Sequence, residues 1–480
     1  AYSCVMYFTS IFAATLVRRI WIDVEALPYP AATAATRLVE MSVSKDRKRP
    51  EILRNKYLWL GMLVGFLATP HYWMHSFAEQ IPIIDMWRAV DLTPLAILSW
   101  VPLMFIVEAW IVGAFYFVPQ MVSLSFVLFN FILMWILPPI MTALGILPPM
   151  PAGTVANSTW YMLMRYNSDP VIQKNFYTYS YAVVYGFFII GTMWACVIWP
   201  LIVNRRFVWE NIKAIWSRPP EDVEKREPLS YKTQWLILIV LILVWDALMV
   251  IGSEGAVPFW FAPIWILQVI LVNTLWGARF FGDFGGMINP YQNAVVSHLY
   301  YNVMGYWWAI SPTSPAYVGP ETNPQPRFNA DCFYSFPMWG YTNTTVANCT
   351  IPGRLMESYR TADNTKTHSK YVLGAALLAV SLAVALSIIL GVYFAHTYGV
   401  VDQWKQSGVY VWNGGWQGLC AILNARGEYK WQWWPGDVEP PATLWVSVAI
   451  GFIIVVILYI LRAKVPALSW IHPIGLAAVG

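Results

Sequence analysis

Charge is scarce in this chain. Asp, Glu, Lys and Arg together make up 12% of its 480 residues, and none occurs from Ala109 to Met164. With 58% hydrophobic residues and a positive mean hydropathy, this scarcity excludes an ordinary soluble enzyme and identifies a polytopic integral membrane protein. The net charge of +4 is small, and the basic residues cluster in loops beside apolar runs, which excludes a nucleic-acid partner. Cysteine is also sparse: five residues with no Cys-x-x-Cys pattern. The six histidines lack the paired-span arrangement that a haem needs, and His71 and His75 read as an interfacial helix end after Pro70. No enzyme activity, metal or other cofactor is therefore expected. An initiator Met is missing as well, so Ala1, inside an apolar run, is expected to follow further residues of a longer protein.

Tryptophan is abundant, with 28 residues, most of them near the ends of apolar runs as in an interfacial belt. Apolar runs predict spans over 1–17, 57–77, 92–118, 120–147 with a hinge at Pro119, 175–204, 233–251, 255–278, 371–395 and 441–461. Pro138 and Pro139 are expected to break the end of the 120–147 span. Segments 284–310 and 400–441 either span or re-enter. The fold class is thus all-α, with about nine to eleven transmembrane helices. Lys45, Arg47, Lys48, Arg49, Arg54 and Lys56 mark 42–56 as a cytoplasmic loop, and seven Lys and Arg between Arg205 and Lys232 do the same for 204–234, where a short amphipathic helix fits 209–216. The chain divides into a transmembrane region 1–310, an extracytoplasmic loop or small cap 311–369, and a second transmembrane region 370–480. The loop carries sequons at Asn343 and Asn348, and another stands at Asn157. Cys332 and Cys349 are either a disulfide across that loop or two unpaired thiols, whereas Cys4, Cys196 and Cys420 read as packing residues.

Two stretches break the apolar pattern. The first is Arg18-Arg19-Ile20-Trp21-Ile22-Asp23-Val24-Glu25-Ala26-Leu27-Pro28-Tyr29-Pro30, whose prolines push Leu27 and Tyr29 into extended or turn conformations. The second follows Arg279, as Phe280-Phe281-Gly282-Asp283-Phe284-Gly285-Gly286-Met287-Ile288-Asn289-Pro290. Broken backbone at membrane depth lines protein or water, and transporters place binding sites there. Asp23, Tyr29, Thr33, Asn273 and Asp283 are therefore pathway candidates. Glu108 and Asp246, each in an apolar run, are candidates to take up a proton or coordinate solute, or else to pair with Arg279 or an aromatic donor. Asp23 and Glu25 also fit as partners of Arg18 and Arg19, Arg279 and Asp283 as a local ion pair, and His298 as a relay or a hydrogen-bonded core residue.

The order of several motifs resembles the oligopeptide transporter superfamily, and more closely its prokaryotic multi-spanning branch. They are the Arg18 to Pro30 stretch, Arg54-Asn55-Lys56-Tyr57-Leu58-Trp59-Leu60-Gly61, Val122-Ser123-Leu124-Ser125-Phe126, Glu227-Pro228-Leu229-Ser230-Tyr231, the Arg279 turn, and His472-Pro473-Ile474-Gly475. Pro30 is followed by Ala31-Ala32-Thr33-Ala34 where better-studied members carry a Pro-Ser/Thr-Gly-Thr-Ala type signature, so the resemblance names no substrate. It implies a secondary transporter in the cell membrane, moving a small polar or peptide-like solute with a coupling cation, the proton first. The alternative from the long sequon-bearing loop is a membrane anchor or subunit of a surface-layer or other assembly, or a homo-oligomer, without transport.

Overall fold

The computed structural model describes residues 2–42, 51–68, 115–145, 181–217, 221–252, 269–285, 346–398 and 442–479, with a few isolated positions between them. The first helix, α1 (Tyr2–Arg18), buries Thr9 and Thr15 by donating their hydroxyls back to the Val5 and Ile11 carbonyls at 2.7 and 2.8 Å. It does not stop at the arginines. The chain widens into a π-helical turn (Arg19–Val24) and only then breaks, with Ala26 and Tyr29 in the left-handed region at φ 51° and 44°. Helix α2 (Pro30–Ser42) restarts with proline where no amide donor is needed.

Further on come α3 (Lys56–Ala68), α4 (Gln120–Asn130), a second π-helical turn (Phe131–Ile136) and α5 (Leu137–Ala143). Pro119 is the start of α4, as expected. Pro138 and Pro139 do not break the span, because they occupy the first turn of α5, where a missing donor costs little. The expectation of one helix over 92–118 fails in its middle: Met104–Phe105 pairs antiparallel with Val90–Asp91. Pro94 and Pro102, both between the two paired segments in sequence, remove helical donors.

Helix α6 (Tyr181–Val203) turns by 76° at Asn204 into α7 (Arg205–Lys213), followed by α8 (Tyr231–Gly252). A third π-helical turn (Ile270–Leu275) leads into α9 (Trp276–Phe284), every residue of which is buried. The predicted span 255–278 therefore ends as a core helix that runs on to Gly285, whose φ of 75° terminates it.

Helix α10 (Val346–Asn364) lies within the stretch read as an outer loop, yet it packs on α1, α2 and α9 and buries Leu355, Met356, Tyr359 and Ala362. After it, His368 Nε2 lies 2.8 Å from the Lys225 carbonyl and Ser369 Oγ donates to the Arg226 carbonyl at 2.6 Å. The end of 311–369 thus meets the basic loop 204–234, and the expected placement of the two on opposite sides does not hold for these residues. The last helices are α11 (Ser369–Tyr398), α12 (Ala442–Lys464) and α13 (Pro473–Ala477).

Among the described residues, five helical segments are long and apolar enough to cross a membrane: Cys4–Val24, Gln120–Ala143, Tyr231–Ile251, Ser369–Leu390 and Trp445–Lys464. The bent pair of α6 and α7 makes six if it counts as one span. Helices α6 and α12 bring their backbones into contact. A Cβ on Gly191 would collide with the Val448 carbonyl, and one on Gly451 with the Phe188 carbonyl. Gly191 with Ala195 and Ser447 with Gly451 give each helix two small residues four apart, the spacing that lets backbones touch. Gly191→Ala and Gly451→Ala are each expected to lower stability by about 1–3 kcal/mol, since the colliding atoms are backbone. Gly374→Ala, with nothing near its Cβ position, is the control, and thermal unfolding of the purified protein in detergent reads all three.

Candidate functional site

The π-helical turn after α1 decides which charges meet. In an α-helix, residues five apart point about 140° away from each other. The wider π-turn brings them back onto one face. Arg18 and Asp23 accordingly pair at 3.1 Å across Arg19–Val24. Arg18 also donates to both oxygens of Glu227, from Nε at 3.2 Å and from its amino group at 2.8 Å. The Tyr231 hydroxyl donates to Glu227 Oε1 at 3.0 Å, completing the carboxylate's shell. This first network ties α1 to the start of α8. Asp23, 29% exposed at its side chain, reaches the surface and is solvated there.

The second network lies under the corner. Arg279 pairs with Glu25, and its Nε lies 3.5 Å from Asp283 Oδ2. Burial opposes the Arg279 charge, but Asp283 and Glu25 beside it outweigh burial and keep the guanidinium protonated. Asn204, at the bend of α6, donates to Glu25 Oε1 at 2.9 Å. Tyr29 is fully buried: its amide donates to the Gly282 carbonyl at 2.8 Å and its hydroxyl to the Ala278 carbonyl at 3.2 Å. These bonds hold a left-handed tyrosine whose backbone conformation costs about 1–2 kcal/mol. Burial raises the Tyr29 pKa well above the usual phenol range. A Cβ on Gly282 would meet Leu27 at 2.6 Å, so the corner sits directly on α9.

The C-terminal stretch closes this network from the other side. His472 Nε2 lies 3.8 Å from Asp283 Oδ1, and the His472 amide donates to Ser125 Oγ at 2.7 Å. Gly475 lies on Ser125, where an added Cβ would come within 2.6 Å of the serine Cβ. Burial lowers the His472 pKa to about 4, with Asp283 opposing the shift. The second network therefore brings one arginine, Arg279, to two carboxyl side chains, Glu25 and Asp283, beside a His472 that is uncharged at neutral pH. Both Asp283 Oδ2 and His472 Nδ1 are buried without a hydrogen-bond partner among the described residues. Asp283 also stands in the last turn of α9, where the helix dipole disfavours negative charge. One guanidinium thus serves two carboxyl side chains, and its contact with Asp283 Oδ2 is a long one, 3.5 Å.

The sequence-derived candidates separate clearly. Tyr29, Arg279 and Asp283 come together in the second network, and Asp23 belongs to the first. Thr33 is exposed on α2 and takes no part. Asp246 is half-buried in the middle of α8, has no ion pair among the described residues, and does not meet Arg279. Glu25 pairs with Arg279 and not with Arg18 or Arg19; Arg19 instead faces Glu210 at 3.6 Å. Asn273 lies in the third π-helical turn. Glu108, His298, Asn157, Asn343 and Cys332 lie outside the described residues, while Asn348 and Cys349 fall in the first turn of α10. Cys4 and Cys196 are free thiols.

Glu227, His472 and Ser125 were not among the site candidates, although each belongs to a short polar motif in apolar sequence. Such islands were the available signal.

These features define a helical membrane protein whose spans are joined by two buried arginine–carboxylate networks. The chain belongs to a family of unknown function (DUF6785), whose profile matches residues 1–480. Neither a curated protein nor a solved structure matches it.

Removing one partner of the buried Arg18–Glu227 pair is expected to cost about 3–5 kcal/mol, as for Arg18→Met alone. The double variant Arg18→Met/Glu227→Met should recover most of that loss in thermal unfolding, because no buried charge is left unpaired.

A pH dependence also follows. The folded His472 pKa, about 4, is below its unfolded value of about 6.5, so the unfolded chain binds more protons between them. The stabilisation is complete above pH of about 6.5 and is lost as the pH falls toward 4, by up to about 3 kcal/mol. Unfolding midpoints across this range should fall for the native chain and fall less for His472→Gln.

Proposed function

We propose that the chain is a secondary transporter that moves a small polar or peptide-like solute and couples it to a cation, the proton first. The observation that carries this reading is the meeting of an interrupted segment, Glu25 to Pro30, with the end of α9, Gly282 to Gly285, at a buried cluster in which one arginine serves two carboxyl groups. An interrupted helix at membrane depth supplies backbone groups for solute, and a buried carboxyl group with one oxygen outside any hydrogen bond among the described residues supplies a place for the coupling cation. Asp283 takes this coupling role, with His472 beside it. Asp246 stays a second choice because it has no companion charges, and Glu108 stays the candidate that its apolar surroundings make it.

The second reading is an assembly subunit without transport. It draws on α11, an apolar helix of thirty residues that packs on α1 and α10 among the described residues and presents Leu378, Leu382, Leu386 and Ile389 exposed. Lipid satisfies such a helix, and so does a neighbouring subunit.

Proteoliposome uptake separates the two. Across a panel of di- and tripeptides and amino acids, the native protein should accumulate at least one solute under an inward proton gradient. Asp283→Asn should abolish accumulation while leaving exchange of preloaded solute. Uptake that ignores the gradient and is unchanged in Asp283→Asn, Asp246→Asn and Glu108→Gln would sink the coupling claim. Stoichiometric co-purification with another membrane protein, without any uptake, would favour the second reading.

A further inference from the structure

The basic, tryptophan-bearing face of α7 is not used by either network. Helix α7 leaves α6 at 76°, so it runs across the bundle end and not along the spans. Its inner face is fixed: Asn211 Nδ2 donates to the Leu16 carbonyl at 2.6 Å, Trp235 Nε1 donates to Asn211 Oδ1 at 3.0 Å, and Phe207 lies under the Arg19 guanidinium at 5.4 Å. The outer face presents Arg205, Arg206, Trp209 and Lys213, and the following turn adds Trp216, all exposed. Arg206, Trp209, Lys213 and Trp216 follow one another at intervals of three, four and three, so cation and indole alternate along one stripe. Glu210 is the acidic residue on this helix, and Arg206 at 3.2 Å and Arg19 at 3.6 Å neutralise it. Arg205 and Lys213 remain without a carboxylate partner among the described residues, Lys213 lying 5.6 Å from the Trp209 ring.

We infer that this face of α7 binds anionic lipid headgroups, with Trp209 and Trp216 seated at the interface and Arg205, Arg206 and Lys213 on the phosphates. The alternation is what such a surface requires: indole rings prefer the headgroup level, and basic side chains gain from the negative surface potential there. A helix that follows a span directly and turns across it is held at that level by its own chain. A soluble acidic partner is less well matched, since it offers nothing apolar to two bare indoles at the bilayer edge.

The test uses the full chain in nanodiscs of phosphatidylcholine, with and without phosphatidylglycerol. Phosphatidylglycerol should raise the unfolding temperature of the native chain. Arg205→Gln/Arg206→Gln/Lys213→Gln should lose most of that rise and Trp209→Ala part of it. The conservative Arg205→Lys/Arg206→Lys should keep it. Lys225→Gln/Lys232→Gln, which removes two exposed cations from the neighbouring loop, should keep most of it as well. No rise for the native chain, or an equal loss in the Lys225/Lys232 variant, would overturn the assignment. So would an equal rise when inorganic phosphate is added to the detergent-solubilised protein, since that would mark a free-anion site.

Discussion

A buried guanidinium has to be neutralised, and Arg279 sets the terms for the rest of this fold. An ion of this size moved from water into protein loses several kcal/mol that only close counter-charges recover. Arg279 finds one carboxylate on its own helix, Asp283, and the other 254 residues away, at Glu25. To deliver Glu25, the chain leaving α1 must pass over α9 and turn back at once. The left-handed Ala26 and Tyr29, the two prolines and the contact of Leu27 with Gly282 are the means by which it does so. The strained tyrosine is held by two hydrogen bonds to the same helix that carries the arginine. Corner and charge are thus one feature.

The π-helical turns belong to the same solution. One of them, Arg19–Val24, brings Arg18 and Asp23 to the same side and lets Arg18 reach Glu227 at the start of α8. Another, Ile270–Leu275, precedes α9 and places Thr274 against Ser10, where the hydroxyls bond at 3.1 Å. Two of the buried polar contacts of α1 thus involve residues in or beside a local departure from α-helical geometry, whereas the Thr15–Tyr359 hydroxyl contact at 3.1 Å joins two regular helices. Insertions of this kind recur at functional sites.

Sequence patterns revealed the spans and concealed the pairings. Apolar runs over 120–147, 175–204, 233–251, 371–395 and 441–461 correspond to described helices because lipid imposes one length and one composition on them. The corner was legible as a break, since proline chemistry is local. Glu25 was not legible as a partner of Arg279, because a carboxylate beside two arginines looks satisfied already, and nothing in the sequence announces that a π-turn will face it elsewhere. Helix α10 was hidden by Pro352 and by its sequon at Asn348. Yet Leu355, Met356, Tyr359 and Ala362 carry helical spacing, and Arg354, Glu357, Arg360 and Asp363 lie between them in a pattern that a loop does not need. The motifs that carried the family resemblance were better guides to the site than the isolated carboxylates. Asp23, Tyr29, Ser125, Glu227, Arg279 and His472 come from five of those motifs, and all lie in or beside the two networks.

The two networks differ in one respect that bears on mechanism. Each has one arginine and two carboxyl side chains, but one carboxyl of the first, Asp23, reaches the surface, whereas both of the second are enclosed, the Glu25 side chain being 16% and Asp283 5% exposed. Water compensates the first continuously. The second has no such reserve, so the occupancy of Asp283 decides how Arg279 divides its attraction. With Asp283 charged, Arg279 is shared between it and Glu25. With Asp283 neutralised by a bound proton or cation, Glu25 is the ion-pair partner of Arg279 that is left among the described residues, and the corner is drawn more firmly onto α9. Glu25 is also the acceptor for Asn204, the residue at which α6 bends into α7. A change of charge at one buried carboxylate thus has a direct mechanical path, through two side chains, to the helix that turns across the end of the bundle. Under the proposed function, this path gives the coupling cation a differential hold on two arrangements of the same junction, which is the condition any ligand must meet to shift a conformational equilibrium.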